Sequence, residues 1–290
     1  MSGGAEEGTR RAYDLIAAHY DRFWGDRMTR HALRALGELV LPRLPLPVER
    51  DPRALDLCCG TGQLAAVLSA RGWVVTGVDA AAPMLALARR HAPRARFVRA
   101  DARELAGEAA SAALGPEPFD ICISAFDSLN HVLDAGGLVD VFAGVHSRLR
   151  PSGAFLFDLN TRRGFQQRFK GGFDLDDGEL ACHVEASFDA VAGIGRYVVT
   201  MRTVGRGTEG AEGKAEHGDR AVESGSAASR APEAPPVGPI VLSQRCHAPN
   251  EVVALLSAAG FQGVAVHNAE RELGMTGHVG RVFFTAWRPE

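Results

Sequence analysis

Four short segments of this 290-residue chain hold side chains whose types and spacing could do chemistry together. The first is Asp56-Leu57-Cys58-Cys59-Gly60-Thr61-Gly62, where a short apolar run gives way to a helical pattern. Gly60 and Gly62 let the backbone turn tightly and leave room for a ligand against the main chain; the helix start behind them offers N–H groups. The second segment is Asp79, after the apolar run 73–78. A carboxylate there can accept hydrogen bonds from both hydroxyls of a ribose lying over the first loop. The third is Asp101-Ala102, placed to meet an adenine edge, although Asp101 could equally cap a helix that starts at Ala102. The fourth, Ser124 to His131 (SAFDSLNH), is polar and aromatic where a plain strand-to-helix loop would be short.

The surrounding pattern says what must hold these segments. Short apolar runs at 54–58, 73–78, 96–100, 119–124 and 154–159 read as strands, and helical stretches separate them. Leu138, Val141, Phe142, Val145 and Leu149 form a clear helical stripe. Strands alternating with helices predict a parallel sheet covered on both faces, and all four segments then fall at carboxyl ends of strands, where open α/β sheets bind ligands. Residues 11–41 read as helical with a break near Gly25, until Pro42, Pro45 and Pro47 stop the pattern; Tyr13, Tyr20 and Trp24 share one helical face. After residue 165 the rhythm changes. Residues 178–190 and 195–204 read as antiparallel strands joined around Gly193 and Gly195, and 239–247 as a further strand. Between them, 205–239 is Gly, Pro, Ser, Ala and charge, too poor in large apolar side chains to offset its ordering entropy, and reads as a disordered loop. A helix follows, with Pro249 in its first turn and Gly260 at its end, and 263–268 with 281–287 read as a closing hairpin.

Composition narrows the function. Lys plus Arg is 32 and Asp plus Glu is 35, a net charge of −3, which does not suit a general nucleic-acid binder. The five cysteines, Cys58, Cys59, Cys122, Cys182 and Cys246, are odd in number and lack a CxxC spacing, so neither a disulfide framework nor a zinc site is expected. With no apolar leader and no run long enough to span a bilayer, the expected location is the cytoplasm. No metal-ligand spacing occurs, so no metal is expected. Nothing in the sequence sets an oligomeric state.

Taken together, DLCCGTG, VDAAAPML, RADAREL, FDICISAFDSLNHV and LRPSGAFLFDLNT resemble the class I S-adenosylmethionine-dependent methyltransferases of the small-molecule type. The resemblance covers 10–165 and, more loosely, 239–287. It implies an α/β fold: a doubly wound, seven-stranded Rossmann-like sheet with a C-terminal antiparallel hairpin, plus a small antiparallel β insert forming a lid. The implied organisation is an N-terminal helical cap at 1–50, a core at 51–168 and 248–290, and the insert at 169–247. The implied cofactor is S-adenosylmethionine, with S-adenosylhomocysteine as product, and the implied partner is a small-molecule methyl acceptor. Carried over residue by residue, Gly60 and Gly62 would pass beneath the methionine part and Asp56 would fix the loop or the amine. Asp79 and Ala80 would form the ribose loop, and Met84 would press on adenine. Asp101 and Ala102 would meet the adenine edge. Ser124 backbone and Phe126 would line the methionine tail, and Tyr20 would close over the cofactor. Asp127, Asn130 and His131 would face the acceptor, with His131 and Asp127 as candidate catalytic groups. From their own positions, Tyr13, Trp24, Asn160, Arg245 and His247 are candidates for the acceptor pocket. The Asn/Asp-Pro-Pro-Tyr motif used on nucleobase or glutamine amines is absent, SAFD standing in its place. Two alternatives stay open. Gly60-Thr61-Gly62-Gln63-Leu64-Ala65 with Asp79 also fits a nicotinamide fingerprint, hence an NAD(P)-dependent oxidoreductase; the chain could also be a non-catalytic cofactor-binding module.

Overall fold

The structure, a computed structural model, describes residues 3–20, 23–24, 26–176, 180–203 and 237–290. The break expected near Gly25 and the 205–236 part of the tract expected to be disordered lie outside the described residues.

The chain opens with α1 (Gly3–Tyr20) and α2 (Asp26–Ala35). Then β1 (Arg53–Leu57), α3 (Gln63–Ala70), β2 (Val74–Asp79), α4 (Ala82–His91), β3 (Arg96–Arg99), α5 (Glu108–Leu114), β4 (Phe119–Ser124), α6 (Ala135–Arg148) and β5 (Leu149–Asn160) alternate as the periodicity predicts. After α7 (Arg162–Arg168) come β6 (Gly171–Asp176), β7 (Leu180–Asp189), β8 (Ile194–Thr203) and β9 (Val237–Arg245), followed by α8 (Pro249–Ala258), β10 (Gln262–Asn268) and β11 (Arg281–Trp287). The main sheet has seven strands in the order β10-β11-β5-β4-β1-β2-β3. Strands β1 to β5 are mutually parallel, and β11 runs antiparallel to both β5 and β10. The expected hairpin therefore exists, but β11 slots between β5 and β10. A nicotinamide-binding sheet has its sixth strand next to the fifth and parallel to it.

Burial on both faces explains the near-continuous apolar strands. Every residue of β4 is buried. Leu55, Leu57 and Cys122 point to one face, where Phe142 of α6 and Phe155, Phe157 and Phe284 of the sheet pack. Ala54, Ile121 and Ile123 point to the other, against Leu64 and Leu68 of α3 and Leu36 and Val40. Truncating one of these fully buried phenylalanines to Ala would cost about 3–5 kcal/mol, transfer and cavity together. This packing fixes the strand ends, and hence the loops above them.

The second sheet has four antiparallel strands in the order β6-β7-β8-β9. Its inner face meets α1: Ala12, Ile16 and Ala17 pack on Leu180, Val184, Val199, Met201, Ile240 and Leu242, and on Met84 of α4. The first helix thus lies between the second sheet and the core. Two expectations need correction here. Gly195 is not in the turn; it pairs with Phe188 inside the ladder, and a Cβ there would come within 2.5 Å of Phe165. Residues 237–239 belong to β9 and not to a loop. β6 (GGFDLD) escaped notice because its glycines and acids are mostly exposed at a sheet edge, so burial imposes no alternation. Among the described residues, no helix is long and apolar enough to cross a membrane.

Candidate active site

The loops after β1, β2, β3 and β4 converge on one cavity of about 160 Å³, lined by Tyr13, Tyr20, Cys58, Gly60, Asp79, Ala80, Met84, Asp101, Ala102, Arg103, Phe126, Ser128 and His131, among others. The two glycines of the first loop do different work. Gly60 has φ +52° and nothing within 4 Å of where a Cβ would stand, so it bares backbone to the cavity. Gly62 lies outside this lining: its φ is +81°, and a Cβ would stand 2.8 Å from that of Ala88. It serves the close approach of α3 to α4, which corrects its expected place beneath a ligand. Asp79 is built into the loop. Its Oδ2 accepts from Gly60 N–H and its Oδ1 from Ala81 N–H, both at 2.9 Å. Burial raises its pKa, and those N–H groups oppose the rise. Asp101 caps the turn Ala102–Glu104, accepting from Arg103 N–H at 2.9 Å, and the Arg103 guanidinium grips both its oxygens at 2.9 and 2.7 Å.

A smaller hollow of about 60 Å³ adjoins this cavity through Tyr20, Cys58, Gly60, Phe126 and Ser128. Asp56 lines it, 3% exposed, with Oδ2 lacking a hydrogen-bond partner among the described residues. Burial and then Asp79 push the Asp56 pKa up to about 7, against the Ala65 N–H, which lowers it. Cys58, in a left-handed turn at φ +58°, faces the larger cavity. Burial, Asp79 and Asp101 push its thiol pKa far up, so it stays protonated.

Beyond a wall of Tyr13, Tyr20 and Phe126 lies a second chamber of about 490 Å³ beneath the four-stranded sheet. Trp24, Asp127, Asn160, Arg168, Tyr197, Leu242, Gln244 and Arg281 help line it. Phe126 and Asp127 both have positive φ, +66° and +46°. Asp158 at the end of β5 holds this turn, its Oδ1 accepting from Phe126 N–H at 2.7 Å and its Oδ2 from Asp127 N–H at 3.0 Å. Arg281, buried at the start of β11, donates Nη2–H to Asp127 Oδ1 at 2.5 Å and Nη1–H to Asp158 Oδ2. Two carboxylates thus share one guanidinium. Burial opposes ionisation of both, yet Arg281 and Arg168 hold Asp127 below the usual range, while burial and the neighbouring Asp127 charge leave Asp158 above it. Gln244 Nε2–H donates to the other Asp127 oxygen at 2.6 Å and lies 3.3 Å from His131 Nε2.

His131 lines the first cavity and lies beside Gln244 of the second chamber. Its Nδ1 stands 2.7 Å from the carbonyl of Ser243 and must carry the proton there, leaving Nε2 as an acceptor facing the Tyr13 hydroxyl at 2.9 Å. Burial lowers its pKa, more than Asp127 and the Ser243 carbonyl raise it, so the ring is neutral at neutral pH.

The expected residues divide sharply. Tyr20, Gly60, Asp79, Ala80, Met84, Asp101, Ala102, Phe126 and His131 share the first cavity, and Asp56 the adjoining hollow. Tyr13, Trp24, Asp127 and Asn160 line the second chamber. Besides Gly62, four candidates do not line these spaces. Ser124 ends β4 fully buried, paired with Phe157 and with its hydroxyl toward Cys58. Asn130 is saturated by structure: its amide donates to the carbonyls of Asn160 (3.2 Å) and Arg245 (2.7 Å) and accepts from Asn160 N–H (2.9 Å). Arg245 reaches the Leu133 carbonyl at 3.3 Å, and His247 the Val132 carbonyl at 2.8 Å. Side chains alternate along β9, so Leu242 and Gln244 line the chamber and Arg245 does not. Sequence reading chose the wrong parity of that strand. Arg281 and Arg168 were missed because nothing local marks them; their partners lie on β5 and on the loop after β4.

Residues 54–153 match the family described as a methyltransferase domain. The putative methyltransferase YqeM of Bacillus subtilis is 30% identical over 139 residues, 47% of this chain and 53% of that protein. The chain spans about half the length of the curated relatives it matches. Among solved structures, an S-adenosylmethionine-dependent methyltransferase from Clostridium acetobutylicum superposes with a TM-score of 0.67 at 18% identity, covering 96% of this chain and 99% of the other. CalS10 of Micromonospora echinaspora, an amino pentose methyltransferase solved with its S-adenosylmethionine, gives 0.61 at 21% identity, covering 94% and 95%. These likenesses carry the fold, and the domain match falls on the stretch that builds the glycine loop and both acidic loops. Residues 54–153 thus match a methyltransferase domain, and the chain shares its fold with S-adenosylmethionine-dependent methyltransferases. The strand order, with β11 antiparallel beside β5, departs from the order of a nicotinamide-binding sheet.

Proposed function

We propose that this protein transfers the methyl group of S-adenosylmethionine to a nitrogen or oxygen of a small molecule held in the second chamber. One observation carries the reading: two spaces, one ringed by the four strand-end loops and one roofed by the second sheet, share the wall of Tyr13, Tyr20 and Phe126. The residues present fit the cofactor. Gly60 offers bare backbone, Asp79 a fixed carboxylate with lone pairs left for a ribose, Met84 a buried apolar face, and Asp56 an orphaned oxygen for a cationic amine. When bound, S-adenosylmethionine supplies a methyl group already activated by its sulfonium charge.

The chain's own groups then have two tasks. The first is alignment, since a displacement needs its reacting atoms about 3–3.5 Å apart and in line. The Phe126–Asp127 turn, fixed by Asp158 and Arg281, holds one side of the shared wall, and α1 holds the other. The second is removal of a proton from the acceptor. The Tyr13 oxygen can take that proton as its own passes to Nε2 of His131, which the Ser243 carbonyl keeps in the right tautomer. Asp127 faces the chamber, but its oxygens are engaged by Arg281 and Gln244, which makes it a positioning group and not a base.

Calorimetric titration tests the reading. The wild type should bind S-adenosylmethionine, and Asp79→Ala should weaken binding by about a hundredfold, the loss of two charge-assisted hydrogen bonds, with circular dichroism unchanged. Equal affinity in both proteins would sink it.

A further inference from the structure

We propose that Arg168 seats an anionic group of the methyl acceptor, so that the acceptor is an amine or alcohol that also carries a phosphate or carboxylate. This rests on the second chamber being the acceptor site.

The argument begins with a difference between two arginines of that chamber. Both terminal nitrogens of Arg281 are taken by Asp158 and Asp127, although its Nε–H, like that of Arg168, has no partner among the described residues. Among the described residues, Arg168 bonds no carboxylate. Its Nη2–H donates to the side-chain oxygen of Asn160, and its buried Nε–H has no partner. The hydroxyl of Tyr197, on the same lining, makes no hydrogen bond with the described residues either. Much of the remaining wall is aromatic or aliphatic. Water can serve such a guanidinium while the chamber is open. An acceptor that fills the chamber expels that water, and a buried guanidinium with an unmet N–H and the like charge of Arg281 near it is costly, beyond what the nearby Asp127 offsets, unless the newcomer brings an anion. A guanidinium fork suits a phosphate or a carboxylate because both offer paired oxygens.

The arginine is also held in place. α7 is clamped from both sides. The rings of Phe165 and Phe169 pack with centroids 4.4 Å apart, and Phe169 packs at a tilt against Tyr197 with centroids 4.3 Å apart. Gly195 makes room for both rings, since a Cβ there would come within 2.7 Å of either. At the other side Gly164 lies against the Gly280 backbone, where a Cβ on Gly280 would fall 2.0 Å from Gly164 N. Arg168 and Tyr197 are thus set by a packed base and not by a loose loop. The positive charge of the bound cofactor in the adjoining cavity further favours an anionic companion.

The test uses the full chain saturated with S-adenosylhomocysteine, titrated calorimetrically with inorganic pyrophosphate and, separately, with malonate. At least one anion should bind the wild type. Arg168→Gln should weaken that binding about tenfold or more, the worth of a charge-assisted hydrogen bond, and Arg168→Lys should fall between. The affinity for S-adenosylhomocysteine should stay within about twofold in both variants, which also shows that they fold. Tighter pyrophosphate binding points to a phosphorylated acceptor, tighter malonate binding to a carboxylated one. The proposal is overturned if neither anion binds the wild type, or if Arg168→Gln binds as well as wild type. Failure of the wild type to bind S-adenosylhomocysteine would instead strike the methyltransferase reading, and the anion titrations then stand on the protein alone.

Discussion

Strand β4 has a buried carboxylate at each end, and the two are stabilised in opposite ways. At its start, Asp120 is fully buried but its partners reach water. Arg50 grips it at 2.8 and 2.9 Å while 41% exposed, Arg150 at 2.5 Å while 19% exposed, and Arg53 N–H adds a bond at 2.7 Å. Burial raises the Asp120 pKa, but these donors outweigh it and hold the group below the usual carboxylate range. Past the other end, Asp127 shares Arg281 with Asp158, and the side chains of all three are no more than 7% exposed. The first arrangement is a clamp with solvent at its back. The second is a closed network whose members can only answer to one another. Closed networks tolerate no missing partner, and here the network holds the turn that separates two chambers.

The largest expected effect tests that closure. Arg281→Met should strand two buried carboxylates and cost about 3–5 kcal/mol in urea denaturation. Methyl transfer should fall with it as the Phe126–Asp127 turn loosens. A loss under 1 kcal/mol would erase the contrast between the two ends. Next comes Asp120→Asn, expected to cost about 1.5–3 kcal/mol at neutral pH by removing charge-assisted bonds. The sign with pH follows from the depressed pKa. The stability that Asp120 contributes is present above its unfolded-state pKa and is lost as pH falls through its lower folded value. Wild type and variant should therefore converge in acid, and parallel curves would show that the charge is not what matters.

Asp56 extends the comparison as a buried carboxylate with no cation beside it among the described residues and a pKa pushed up to about 7. If a cationic amine of the cofactor is its missing partner, affinity should weaken by up to about tenfold per pH unit below 7, because the group must first lose a proton. Asp56→Asn should bind weakly and without that pH dependence, measured by titration from pH 5.5 to 8. The smallest effect belongs to the solvent-backed clamp: Arg50→Ala should cost about 1 kcal/mol or less, as Arg150 and water remain. Thermal denaturation in low and high salt would check it.

The sequence exposed one half of this molecule much better than the other. Parallel strands buried on two faces leave apolar runs that any window detects, and the loops at their ends follow; Gly60, Asp79 and Asp101 were legible for that reason. The second sheet obeys weaker rules. β6 is exposed, and the parity of β9 was decided by packing on α1 that no local pattern records. Gly62 shows the same limit at one residue. Its spacing suits a ligand loop, while its real constraint is a helix further along the chain that approaches it at Ala88. Arg281 is the extreme case, a single arginine whose partners sit more than a hundred residues earlier.

The placement of α1 reaches further than packing. Tyr13 and Tyr20 touch both hollows from a single rod of backbone, so whatever enters on one side leans on the same support that greets an occupant on the other. On the proposed reading, donor and acceptor share that support, so any coupling between them is reciprocal: each changes the other's affinity by one common factor, and measuring either dissociation constant with the partner present and absent reads out that factor.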